Sequence, residues 1–251
     1  MIDREYLARL TDAARVDYFV SGNDGGRAFW PWRMGRAASK EGTHEDMADT
    51  FVLDSNFQDE SVTNLDVLDE AVATDAAVAS LADVLHDPDA TVDALRAGLN
   101  LYRRHEYDGR VLLPIQPPHD ETAARLLDAV GDLDVWWGVG GVKDEPTAVQ
   151  VTAARDLRST VGPDAHVHGL GVGVTPEFAA VVRRDPDLFD SIDSSSAMRN
   201  ARVDDLDGTA EKITVLAARG TSRRLMNLRR LTPFADPNSM TRQTTIGGSR
   251  E

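Results

Sequence analysis

Short β-rich runs alternating with segments of helical spacing are what most limits the architectures open to this 251-residue chain. Candidate strands are Asp17–Val20, Thr50–Leu53, Val78–Ala82, Val111–Ile115, Val135–Val139, Ala165–Leu170 and Leu188–Ile192. Between them apolar residues recur at helical intervals over Ala90–Tyr102, Glu121–Val130, Thr147–Leu157 and Pro176–Val182. Parallel neighbours cannot be joined by a tight turn, so strands separated by helices of this length predict βαβ units. A doubly wound sheet shares that alternation but fits the number of units less well than a barrel.

Seven such units predict an α/β fold, a TIM-type (β/α)8 barrel, whose usual size is about 250 residues. The eighth unit is degenerate in this reading. Ile213–Leu216 is its weak strand, although Lys212–Ala218 equally well begins a basic helix running through Arg230. Ser21–Glu45 carries Gly25-Gly26 and Phe29-Trp30-Pro31-Trp32 and reads as a long loop after the first strand. Residues 1–231 are thus expected to form one barrel domain, and 232–251, with Pro233, Pro237 and Gly247-Gly248, a polar tail.

Composition narrows the chemistry. With no cysteine, disulfides, thiol nucleophiles and Cys-ligated zinc are excluded. The six histidines form no tight cluster, so neither a metal nor another cofactor is expected. No apolar run approaches the roughly 20 residues that span a bilayer, and Met1–Arg15 is unlike a signal peptide. A soluble cytoplasmic protein is expected. The net charge of −15, with only three lysines (Lys40, Lys143, Lys212), suits a halophilic, salt-screened surface. The acidity is uneven. Residues 212–251 hold eight Arg/Lys and two acids, a net +6, which leaves −21 for residues 1–211. A basic segment on an acidic body is where a polyanion would be met.

A parallel barrel builds its site from the C-terminal ends of its strands. The candidate strands end on Asp54-Ser55-Asn56, Ala82-Asp83, Gln116-Pro117, Gly140-Gly141-Val142, Leu170-Gly171 and Asp190-Ser191-Ile192-Asp193. Carboxylates, one amide and glycine turns on one face suit a purine and a glycosidic carbon. A carboxylate reads the N1–H and amine of guanine, an amide reaches O6 or N7, and two carboxylates divide nucleophile and acid/base roles. Taken singly, each Asp serves equally well as a helix cap and each glycine pair as a plain turn.

In order, these motifs resemble the tRNA-guanine transglycosylase superfamily over Phe51 to Val203. Leu188-Phe189-Asp190-Ser191-Ile192 with Ala197-Met198-Arg199-Asn200-Ala201-Arg202 is similar to the family's Phe-Asp-Cys block and its Thr-Arg-Asn-Ala-Arg sequence. The resemblance implies that Asp190 is the nucleophile at C1′ and Asp54 the acid/base. It assigns Asp83 and Gln116 to base reading, Gly140, Gly141 and Val142 to the backbone of the base pocket, and Phe57 and Leu170 to the faces of the base. Arg199 and Arg202 match arginines near the nucleic-acid backbone. Arg219, Arg223, Arg224, Arg229 and Arg230, spaced to share a helix side, extend that surface.

Two departures shape the expected substrate. Asp54-Ser55-Asn56-Phe57 stands where the family has Asp-Ser-Gly-Gly, and the family's three-Cys, one-His zinc site and appended RNA-binding domain are missing. Leu81-Ala82-Asp83-Val84-Leu85-His86-Asp87-Pro88 looks more like the zinc-free, phage-type DNA 7-deazaguanine transglycosylases. The expected activity is exchange of guanine in nucleic acid, DNA rather than tRNA, for a free 7-deazaguanine such as preQ0 through a glycosyl-Asp intermediate. A homodimer or an accessory protein is a possible partner in this reading. The alternatives are a tRNA enzyme, a non-catalytic nucleic-acid-binding or accessory barrel, and a metal-dependent hydrolase suggested by His166-x-His168. A hydrogen-bonded or packed histidine pair is the preferred reading of that last motif.

Overall fold

The computed structural model describes residues 16–21, 32–39, 50–56, 59, 61–172, 175–185 and 187–195. Eight parallel strands close a barrel in chain order: β1 (Asp17–Ser21), β2 (Trp32–Arg36), β3 (Thr50–Asp54), β4 (Val78–Ser80), β5 (Arg110–Ile115), β6 (Val135–Val139), β7 (His166–Gly169) and β8 (Ser191–Ser194). Between them lie α1 (Asn64–Ala73), α2 (Pro88–Tyr102), α3 (His119–Ala124), α4 (Leu127–Val130), α5 (Thr147–Val161) and α6 (Pro176–Arg184). Among the described residues no helix is long and apolar enough to cross a membrane.

Local chemistry sets where the helices start. Thr63 and Asp66 form a reciprocal capping box on α1, the Asp87 carboxylate caps α2 ahead of Pro88, and Thr175 caps α6 ahead of Pro176. Each such cap is worth about 1 kcal/mol, and proline fits the first turn because its missing N–H has no partner there.

Strand parity then divides the apolar residues into two layers. Phe19, Met34, Val52, Val78, Leu112 and Trp136 fill the barrel interior, with Trp32 and Leu170 packed on them. The alternate residues, among them Val20, Leu53, Ala79, Leu113, Trp137, Val167 and Ile192, join the larger layer between sheet and helices. Trp136 and Trp137 therefore face opposite ways on β6, as their adjacency predicts.

The barrel differs from expectation at two strands. Trp32–Arg36, expected inside a loop, is β2 and pairs with both β1 and β3. Its Trp-Arg-Met-Gly-Arg sequence lacks the β-branched alternation of a strand, but a place between two strands outweighs weak propensity. The last strand begins three residues later than Leu188 and closes on β1, with Asp17 opposite Ser191 and Val20 opposite Ser194. Leu188 and Phe189 belong instead to the connection, where Phe189 packs against Phe178 with ring centroids 5.5 Å apart. Eight strands are complete without Ile213–Leu216. That segment, the basic helix and the 232–251 tail lie outside the described residues.

Candidate active site

At the C-terminal end of the barrel, the last residues of three strands and the penultimate residue of a fourth put Ser21 (β1), Arg36 (β2), Asp54 (β3) and Asp193 (β8) around one mouth. Asp193 shares parity with Ser191, so its side chain turns away from the helix layer that holds Ile192. Gly171 N–H donates to Asp193 Oδ1 at 2.6 Å and Ser21 Oγ to Oδ2 at 2.8 Å. His168 Nε2, fully buried, faces Oδ1 at 3.5 Å. Burial pushes the Asp193 carboxyl up, but the neighbouring His168 ring, the Gly171 N–H and the Ser21 hydroxyl outweigh it. The net shift is downward, to an ionised group.

Asp54 has the opposite bias. Burial first, then the charges of Asp193 and Asp83, push it up to about 7, against the pull of Arg36 and the Ser55 N–H. Arg36 Nε is 4.0 Å away, a long ion pair at a side chain still 24% exposed. Two carboxyl groups within electrostatic reach thus have environments that separate them, Asp193 charged and Asp54 able to carry a proton near neutrality.

Beside them the loops after β4 and β5 make a polar pair. Gln116 Nε2 donates to Asp83 Oδ2 at 2.5 Å, and His86 N–H donates to Gln116 Oε1 at 3.1 Å. The two bonds orient the amide and leave one N–H on the Asp83 side for a carbonyl oxygen. Burial raises Asp83, and the Gln116 bond and its own backbone oppose that rise. His86 holds a left-handed backbone, φ 62°, to deliver its N–H.

The turn after β6 lies against this amide. A Cβ on Gly141, φ 70°, would sit 2.6 Å from Gln116 Oε1, and one on Gly140 would sit 3.0 Å from Gln116 Nε2. His119 Nε2 donates to the Gly140 carbonyl at 2.9 Å, and Gln150 Nε2 on α5 to the Val142 carbonyl at 3.1 Å. Burial outweighs that bond to Gly140 and lowers the His119 pKa, which keeps the ring neutral. Val142 itself points into the helix-side core. Leu170, just past β7, packs on the interior cluster beneath the mouth.

Asp54, Asp83, Gln116, Gly140, Gly141, Val142 and Leu170 are thus brought to one end. Asp190 is not. It precedes β8 at the N-terminal end of the barrel, where Asp190 Oδ2 accepts from Arg158 Nη2 at 2.7 Å and Val167 N–H at 2.8 Å. The three-residue shift of the strand thus places Asp190, the expected nucleophile, at its base and Asp193 near its top. Parity carried the signal, since Asp190 shares the helix-facing side of Ile192. Ser21, Arg36, His119 and His168 were likewise missed, because the residues they serve are distant in sequence. Phe57, Arg199, Arg202, Arg219, Arg223, Arg224, Arg229 and Arg230 lie outside the described residues.

The His166-x-His168 pair is hydrogen bonded, both rings lying 2.7 Å from Ser191 Oγ. Among the described residues no three His, Asp or Glu side chains group as metal ligands. No protein-family model matches the chain, and no curated protein matches it.

Proposed function

We propose that this chain is a guanine transglycosylase of TIM-barrel type, with Asp193 as its nucleophile. The observation that carries the reading is an ionised Asp193 and a protonatable Asp54 beside the oriented Asp83–Gln116 pair. The pair suits the edge of guanine: Asp83 accepts from N1–H and the 2-amine, and the free Gln116 N–H donates to O6. The Gly140-Gly141 turn lets the rim of a flat base approach the amide closely.

Asp193 Oδ1 already accepts from Gly171 and faces His168, whereas among the described residues Oδ2 accepts from Ser21 alone, which leaves it a lone pair. Asp193 Oδ2 attacks C1′ as the C1′–N9 bond breaks, and Asp54 gives its proton to the departing guanine. An incoming 7-deazaguanine then attacks C1′ through N9, returns a proton to Asp54 and releases Asp193. Proton and bond counts balance over the cycle, and the covalent step resembles retaining glycosyl transfer.

A duplex hides both C1′ and the base edge, so the target nucleoside is flipped or single-stranded. DNA is favoured over tRNA because the sequence has no cysteine for a tRNA-type zinc site and because of the Leu81–Pro88 segment. Basic residues 212–251 are the proposed backbone contact. The test is incubation with DNA or tRNA and radiolabelled guanine. Label entering DNA supports the proposal, label entering tRNA alone moves the substrate, and label in neither polymer refutes the activity.

A further inference from the structure

A packed parallel barrel ordinarily fills its interior with branched aliphatic side chains. In this barrel β7 and β8 place polar groups there, in a file leading up to Asp193. His166 Nε2 lies 2.7 Å from Ser191 Oγ, Ser191 Oγ lies 2.7 Å from His168 Nδ1, and His168 Nε2 faces Asp193 Oδ1 at 3.5 Å. His168 and Ser191 are completely buried. Trp136 stacks on His166 at 3.8 Å and Phe19 meets His168 edge-on at 6.1 Å, so aromatic faces fix both rings.

The order of protons along this file follows from counting donors. The Ser191 hydroxyl has one proton and can donate to only one imidazole. Were it given to His166, His168 would have to donate from Nδ1, and it would then either turn a lone pair toward the Asp193 carboxylate or carry a second proton and a buried charge. The reverse order keeps both rings neutral: His166 Nε2–H donates to Ser191 Oγ, Ser191 O–H donates to His168 Nδ1, and His168 Nε2–H faces Asp193. Burial, against the opposing charge of Asp190, lowers His166 to about 4, so that ring is neutral near pH 7, as the order requires.

We propose that His168 is the positioning residue for Asp193, its proton held on Nε2 by Ser191 and His166. This rests on Asp193 as the reacting carboxylate. His168 holds Oδ1 while Oδ2 stays turned to the mouth, and it offsets the cost of a buried negative charge beside Asp54. The other groups acting on Asp193 are the Ser21 hydroxyl from β1 and the Gly171 N–H after β7. A separation of 3.5 Å is long for a resting hydrogen bond, and such contacts commonly tighten when substrate is bound. The arrangement uses the logic of an acid–histidine pair in reverse, with the imidazole orienting the carboxylate.

The test follows the Asp193 carboxyl by carbon NMR across pH in wild-type protein, His168→Leu and His168→Gln, with long-range proton–nitrogen spectra of the histidines. The expected result is a neutral Nε2–H form of His168 in wild type. The Asp193 midpoint is expected to rise in His168→Leu and to fall back in His168→Gln, whose amide restores a donor. In guanine exchange, kcat should drop about 100-fold in His168→Leu with KM for the base little changed. A proton on His168 Nδ1, in the neutral ring or in an imidazolium, or an Asp193 midpoint unmoved in His168→Leu, overturns the proposal. The histidine spectra need only wild-type protein, so the proton order is decided whether or not His168→Leu folds. If wild type exchanges no guanine, the transglycosylase reading falls, while the NMR midpoints still decide the link between His168 and Asp193.

Discussion

The two ends of this barrel use the same residue type for opposite ends. At the N-terminal end Asp190 is bonded to Arg158 at the close of α5 and to the Val167 N–H of β7, which ties helix, strand and connection together. Its neighbour Asp17 is raised to about 6 by burial and by the Asp190 charge. At the C-terminal end Asp54 meets Arg36, its one cation among the described residues, at 4.0 Å, while Asp193 and Asp83 add negative charge beside it. A carboxylate with a short arginine contact and a backbone donor is structural. Carboxylates set against one another are the ones to which the proposed function gives the chemistry.

The comparison breaks first under the paired substitutions Asp193→Asn and Asp190→Asn. Guanine exchange per folded molecule should fall by about 10⁴-fold in the first and stay near wild type in the second. Equal losses would remove the distinction between the ends.

Next in size is Gly141→Ala. The methyl would meet Gln116 Oε1 at 2.6 Å on a backbone of φ 70°, a strain of about 1–3 kcal/mol. We expect a raised KM for the base, read from steady-state exchange, and an unchanged KM would separate this turn from the base pocket.

Asp190→Ala probes the other end. Losing the acceptor for Arg158 and Val167 should lower stability by about 1–2 kcal/mol, since the group is partly exposed and its ion pair partly screened. A denaturant midpoint measures it, and an unshifted midpoint would deny the latch.

The smallest effect is on pH. Asp54 titrates near 7 in the folded protein against an ordinary 3.8, so the folded state binds more protons through that window. The contribution of Asp54 to stability should therefore be greatest below about pH 4 and decline toward 7, with Asp17 adding a decline of the same sign up to about 6. Asp54→Asn should flatten the upper part of the slope and keep the part due to Asp17. A slope unchanged in this variant would show that Asp54 ionises normally.

Much of the fold was legible because short apolar runs such as Val135–Val139 and capped helices such as α2 carry their signals locally. The Asp83, Gln116 and Gly140-Gly141 positions followed from that, since each lies just past a strand end. What was not legible depended on partners. Arg33 lies fully buried in β2, where a charged residue argues against a strand, and Leu188-Phe189 looks like a strand although it packs as a connection. A three-residue register error is enough to exchange the two ends of a four-residue strand. Here it separates Asp190, at the base of β8, from Asp193, at the mouth.

The most direct measurement is to quench the protein with guanine-containing DNA in acid, without an incoming base, and fragment the adduct to the residue. The account predicts the nucleotide sugar on Asp193. A sugar on Asp190, or no covalent adduct with DNA or RNA, would contradict it.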